Sequence, residues 1–217
     1  AWPWGCARWC AATPPAANSL RELLRNQSLW VMLLSGSCLA GATGAVSQHL
    51  KLILKDSGFT EQSLLNLTYS QTLLYLLVIS AASRLGVGWL ADHYRKQHVL
   101  TLTCLLLLSA LTLLFFLQPP HLPYGFALLF GLAMGGDFLL MALLAADHFP
   151  AASLPRALAL LLPVMTVGQT WMPYFIALLR EASGSYTLPL IVMLFLVLLG
   201  RAILWLLPEP SKQALKT

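Results

Sequence analysis

Six stretches of about twenty mainly apolar residues, almost free of charge, constrain this chain more than any other feature. They are Ser28–Leu50, Leu64–Leu90, Val99–Leu117, Pro123–Ala146, Arg156–Leu179 and Tyr186–Leu207. A helix of about 20 such residues crosses the hydrocarbon core of a bilayer. The expected fold class is therefore an all-α membrane protein with six transmembrane helices, and the lipid bilayer is its first partner. Composition agrees: 58% of the residues are hydrophobic and 10% charged, where a soluble domain carries about 25% charged residues.

The domain plan is simple. Residues 1–19 mix Ala, Trp, Pro and Cys without periodicity and read as a linker or disordered N-terminal segment. Residues 20–210 form the six-helix transmembrane unit, and residues 211–217 form a short basic tail. Thr60 is placed to cap the second helix, with Phe59 stapling onto Leu64. Pro119, Pro120 and Pro123 separate the third helix from the fourth, and Pro150 and Pro155 the fourth from the fifth. Pro163 and Pro173, with Gly168 between them, should bend the fifth helix.

The net charge of +5 sits between the apolar runs, so it speaks for membrane orientation and not for nucleic acid. Arg21, Arg25, Arg95, Lys96, Arg156, Lys212 and Lys216 fall on one face; Lys51, Lys55 and Arg180 fall on the other. The positive-inside rule puts the first group, and both termini, in the cytoplasm. Cys38 and Cys104 lie inside apolar runs as packed thiols, and Cys6 and Cys10 lack a second ligand pair, so no metal site is expected. There is no Ser/His/Asp set, no His-Glu-x-x-His and no Gly-rich phosphate loop, so an enzyme is not expected and no cofactor is called for.

Polar residues inside the runs point to what the helices face. The first run carries Ser37, Gly41, Gly44 and Gln48 on one face, the second Thr72, Ser80 and Arg84. The fifth carries Thr166, Gln169, Thr170 and Pro173 at helical spacing, and the fourth carries Asp137. The third and sixth show no such stripe. Lining of a water-filled path and helix–helix packing both explain the neutral stripes. Gly131-x-x-x-Gly135 is a packing motif on either reading. Charge in a bilayer interior is costly, about 2.5–3.5 kcal/mol on insertion scales, so Asp137 and Arg84 are functional candidates. Asp137 lies roughly 13 Å from the Ala146 end of its run, near the midplane. Arg201 faces no stripe and reads as a snorkelling residue.

The segment from Gly86 through Gly88, Asp92 and Arg95 to Lys96 resembles the Gly-x-Leu-Ala-Asp-x-x-Gly-Arg-Arg signature of the major facilitator superfamily, with Tyr94 in place of the signature's last glycine. The likeness continues through Gly131, Gly135, Gly136 and Asp137, then Ala146, Asp147, Pro150, Arg156, Gly168, Pro173 and Gly184-Ser185-Tyr186. It implies one half of a major facilitator fold, resembling the C-terminal half, with an N-terminal six-helix half as the missing partner. It also implies that the first, second, fourth and fifth helices of the half line a cavity.

The nearest branch resembles the monocarboxylate and oxalate/formate antiporter group, where an arginine in the setting of Ser83-Arg84 meets a substrate carboxylate. Ser80 stands where some members have an acid, and the fifth-helix lysine of oxalate exchangers is missing. The resemblance thus implies membrane transport of a small solute, an organic anion such as a monocarboxylate, by alternating access, proton-coupled or by exchange. The substrate set is Arg84, Asp137, Ser80, Gln48, Gln169, Thr166 and Thr170. Asp137 either neutralises Arg84 in the empty site or carries the coupled proton. Asp92, Arg95, Asp147 and Arg156 form a candidate gate. The alternative is a truncated or non-transporting membrane protein with a receptor-like or scaffold role.

Overall fold

A computed structural model describes residues 20–56, 62–116 and 122–207. The expected linker 1–19, the tail 211–217, the Thr60 cap and the Pro119–Pro120 break lie outside the described residues. A short helix α1 (Leu20–Arg25) precedes six long ones: α2 (Gln27–Asp56), α3 (Gln62–His93), α4 (Lys96–Leu114), α5 (Leu122–His148), α6 (Leu154–Ser183) and α7 (Thr187–Leu204). All six are long and apolar enough to cross a membrane, and no strand occurs among the described residues.

Two helices overrun their apolar stretches into charged and polar residues. α2 continues past Leu50 through Lys51 and Lys55 to Asp56, and α6 continues past Leu179 to Ser183. Gly184 ends α6 in the left-handed conformation (φ 70°), and its amide donates to the Arg180 carbonyl at 2.8 Å. α7 stops at Leu204, short of the expected Leu207, in a turn through Trp205 and Leu206. α6 runs unbroken as a helix through Pro163 and Pro173. Each proline nevertheless lacks a backbone donor, so the carbonyls of Ala159 and Gln169 lose their usual helical partners.

α2 is the hub, packed lengthwise against α6 and α7 and also touching α5, while α3 lies along α5, and α4 against α5 and α7. Small residues set these approaches. A Cβ on Gly44 would strike the Gln169 carbonyl oxygen, the group Pro173 leaves free, and one on Gly168 would come 2.9 Å from the Ser37 carbonyl oxygen. At the α3–α5 contact, a Cβ on Gly135 would come within 2.5 Å of the Ser80 carbonyl oxygen, and one on Gly131 within 3.1 Å of that of Leu76. The expected packing role of Gly131 and Gly135 is therefore met. Apolar residues fill the rest: Met32, Leu39, Leu50, Ile53, Phe126, Phe130, Met165 and Met193 are almost wholly buried. α3 and α6 keep long faces open, including Leu74, Leu77, Leu85 and Trp89 on α3 and Val167, Trp171 and Tyr174 on α6.

Candidate functional site

Asp137 is seated by the geometry of α5. Gly131 and Gly135 press against α3, and two residues on, about 200° round the helix, Asp137 points to the opposite side. There it is buried, 7% exposed, at a cavity of about 10 Å³ with Thr43 of α2, Thr103 and Cys104 of α4, and Leu39, Leu100, Leu107 and Ala133. Thr103 donates to the Leu100 carbonyl at 2.9 Å, and Thr43 lies 3.0 Å from that of Ala40. The Asp137 Oδ2 oxygen has no hydrogen-bond partner among the described residues.

Arg84 stands elsewhere. It is exposed on α3, in an open stripe with Ser70, Leu74, Leu77 and Ala81 at alternating four- and three-residue steps. It does not border the Asp137 cavity, and no described side chain pairs with it. The expectation that Arg84 and Asp137 face one volume is corrected here: the glycine face of α5 turns toward α3 and sends Asp137 the other way.

The neutral stripes divide as well. Gly41 and Gly44 pack on α6, and Thr72 and Ser80 are buried, so these positions serve helix contact. Gln169 is half-buried against Gly44. Gln48, Thr166 and Thr170 are exposed. Thr166 and Thr170 give their protons back to their own helix, to the carbonyls of Leu162 and Thr166, and present lone pairs outward.

The candidate gating residues lie at the end of the bundle where α3 passes into α4, and α5 into α6. Asp147 at the end of α5 pairs with Lys96 at the start of α4, and Lys96 also donates to the Leu143 carbonyl at 3.2 Å. Lys96, a member of the signature's basic pair, had not been picked out for this role. Asp92, Arg95 and Arg156 are exposed at the same end.

The opposite end holds a network that motif reading overlooked. His49 of α2 is buried, and its Nε2 lies 2.9 Å from the Pro173 carbonyl while its Nδ1 lies 2.9 Å from the Tyr186 hydroxyl. A carbonyl only accepts, so Nε2 carries the proton; with one proton on the ring, Nδ1 accepts from the phenol. Arg180 lies over the Tyr186 ring at 5.2 Å and reaches Asp56 at 3.2 Å. Burial pushes the Tyr186 phenol above its ordinary range; Arg180 opposes the rise and Asp56 adds to it. The signal available in the sequence was a histidine inside an apolar run and the Gly-Ser-Tyr before the last helix. Their meeting needs the fold.

A model of the Major Facilitator Superfamily matches residues 7–135 and, in a second overlapping match, 72–217. The cyanate transport protein CynX of Escherichia coli is 26% identical over 188 residues, 86% of this chain and 47% of that protein. The inner membrane metabolite transport protein YgcS of the same organism is 33% identical over 84 residues, 39% of this chain and 19% of that protein. The chain thus spans less than half the length of each of these relatives.

Proposed function

This chain belongs to the Major Facilitator Superfamily, and from that membership we propose that it moves a small organic anion, such as a monocarboxylate, across a membrane by alternating access. The observation that carries the reading is Arg84. A guanidinium on an otherwise apolar and small-residue stripe of a spanning helix is costly to leave against lipid. Its planar fork suits two parallel hydrogen bonds to a carboxylate. With Asp137 turned to the far side of α5, Arg84 keeps its charge for a ligand. Gln48, Thr166, Thr170 and Gln169 supply neutral polar groups to the same cavity in this reading, with Ser80 holding the α3–α5 contact. The relative matched over 86% of this chain carries in its name cyanate, itself a small monovalent anion.

In the complete transporter a first six-helix half covers the open stripes of α3 and α6. Lys96–Asp147, with Asp92, Arg95 and Arg156, forms a charged latch that favours one state, and the end bearing it lies in the cytoplasm with both termini. Transport is proton-coupled or by exchange. The test is uptake and counterflow of a simple monocarboxylate by the complete twelve-helix transporter. Arg84→Ala abolishes both; normal carboxylate transport by that variant removes the anion site.

A further inference from the structure

The Asp137 cavity is short of hydrogen-bond donors. Its polar lining is Thr43 of α2, Thr103 and Cys104 of α4, and Asp137 itself. Asp137 Oδ2 is buried and takes no hydrogen bond from any described group, although the Thr43 hydroxyl is in reach of the carboxyl. A hydroxyl has one proton to give and two lone pairs. Thr43 gives its proton to α2, with the Ala40 carbonyl at 3.0 Å and that of Leu39 at 3.2 Å. Thr103 gives its own to the Leu100 carbonyl of α4 at 2.9 Å. Both hydroxyls therefore turn lone pairs to the cavity, and the Cys104 thiol is a weak donor.

No cation makes up the shortfall among the described residues. Arg84 lies on the open side of α3, and Arg201 of α7 donates to Thr101. Neither lines the cavity, and no residue of α3, α6 or α7 does. Cys104 is the one other titratable group in the lining. The cavity measures about 10 Å³, at the lower limit of the roughly 10–15 Å³ that one water needs, so solvent is a poor source of a donor. An ionised carboxylate only accepts, and here it would meet acceptors. Burying it unpaired costs far more than burying the neutral acid. A protonated carboxyl brings the donor that the cavity lacks.

We propose that Asp137 is a proton-binding site sealed between α2, α4 and α5: its carboxyl is neutral in this packing and donates to the Thr43 hydroxyl oxygen. Loss of the proton reverses that bond. The Thr43 hydroxyl then leaves the Ala40 carbonyl and donates to the carboxylate. The change falls one residue from Gly44, where α2 meets the Gln169 carbonyl of α6. A proton bound on α5 is thereby felt at the α2–α6 contact, on the side of α5 away from α3. The inference goes beyond the anion site and stands whether or not Arg84 binds substrate.

Infrared difference spectra of the complete transporter in detergent test it. At neutral pH, wild type minus Asp137→Asn is expected to show the carbonyl stretch of a protonated carboxylic acid. Thr43→Val removes the acceptor and is expected to shift that band to higher frequency, whereas Thr43→Ser leaves it in place. Carboxylate bands alone overturn the proton site, and an acid band that ignores Thr43→Val overturns its bond to Thr43. Thermal unfolding gives a second measurement. The Asn amide also brings a donor, so Asp137→Asn is expected to unfold within about 3 °C of wild type. A larger loss, as when one member of a charged pair is removed, overturns the neutral acid. Normal carboxylate transport by Arg84→Ala would remove the anion site and leave the acid band unchanged, so the two readings fail separately.

Discussion

Arg84 and Tyr186 show how much a single polar group carries where water is scarce. If Arg84 holds a carboxylate as proposed, Arg84→Lys keeps the charge but loses the second parallel hydrogen bond. The expected result is a KM for monocarboxylate raised about tenfold with little change in kcat, the size of one charge-assisted bond of about 1.5 kcal/mol. Concentration-dependent uptake measures it, and an unchanged KM argues against bidentate contact. Tyr186→Phe removes the donor to His49 Nδ1 and should cost about 1–2 kcal/mol of stability. The pH dependence has a definite sign. The folded phenol titrates above its ordinary 10.0, so the bond is intact below that pH and its contribution is lost as pH rises further. In thermal unfolding the advantage of wild type over Tyr186→Phe should be steady below pH 10 and shrink as pH rises above it. At this scale the sequence was half legible. The cost of burying charge singled out Asp137 and Arg84, but a residue's type does not state its direction. Arg201 read as a snorkelling residue because its hydrogen-bond partner, Thr101, comes from another helix.

Elements were more legible, because helix length and apolar content are local properties that lipid selects directly. All six spans were found, with ends displaced by a few residues where polar groups extend a helix beyond its apolar stretch. The stripes were harder. Small and polar residues at helical spacing serve a cavity and a helix contact equally well, and only the neighbour decides. Gly44 and Gly135 face backbone carbonyls that cannot move aside, whereas a Cβ on Gly86 meets nothing within 4 Å. Gly44→Ala and Gly135→Ala should therefore each destabilise the bundle by about 1–3 kcal/mol through overpacking. Gly86→Ala should be neutral or stabilising, by up to about 1 kcal/mol from helix propensity. The fraction of protein surviving a heat step in detergent ranks the three. Equal survival of Gly44→Ala and Gly86→Ala would mean that α2 and α6 do not approach as closely as described.

For the molecule as a whole, the open faces of α3 and α6 decide what surroundings it requires. Lipid can cover Leu74, Leu77, Val167 and Trp171, but it covers Arg84, Gln48, Thr166 and Thr170 only at a cost in unmet hydrogen bonds. In the proposed transporter a second six-helix half over these faces would meet both needs, its helices packing on the apolar positions while a path between the halves wets the polar ones. Which ends of the spans lie in the cytoplasm is a separate expectation, carried by the Lys and Arg bias. His93 ends α3 beside the Lys96–Asp147 pair, and Ser183 ends α6 beside the Asp56–Arg180 pair; both are exposed. The Lys and Arg bias puts the first in the cytoplasm and the second outside. In a complete transporter freed of its native cysteines, Ser183→Cys should react with a membrane-impermeant maleimide added to intact cells. His93→Cys should react only after the membrane is opened. The opposite pattern would invert the orientation, place the Lys96–Asp147 latch on the outer side, and make the His49–Tyr186 network the one that faces the cytoplasm. The separation of Asp137 from Arg84 across α5 would remain, because it depends on the helix turn and not on the side of the membrane.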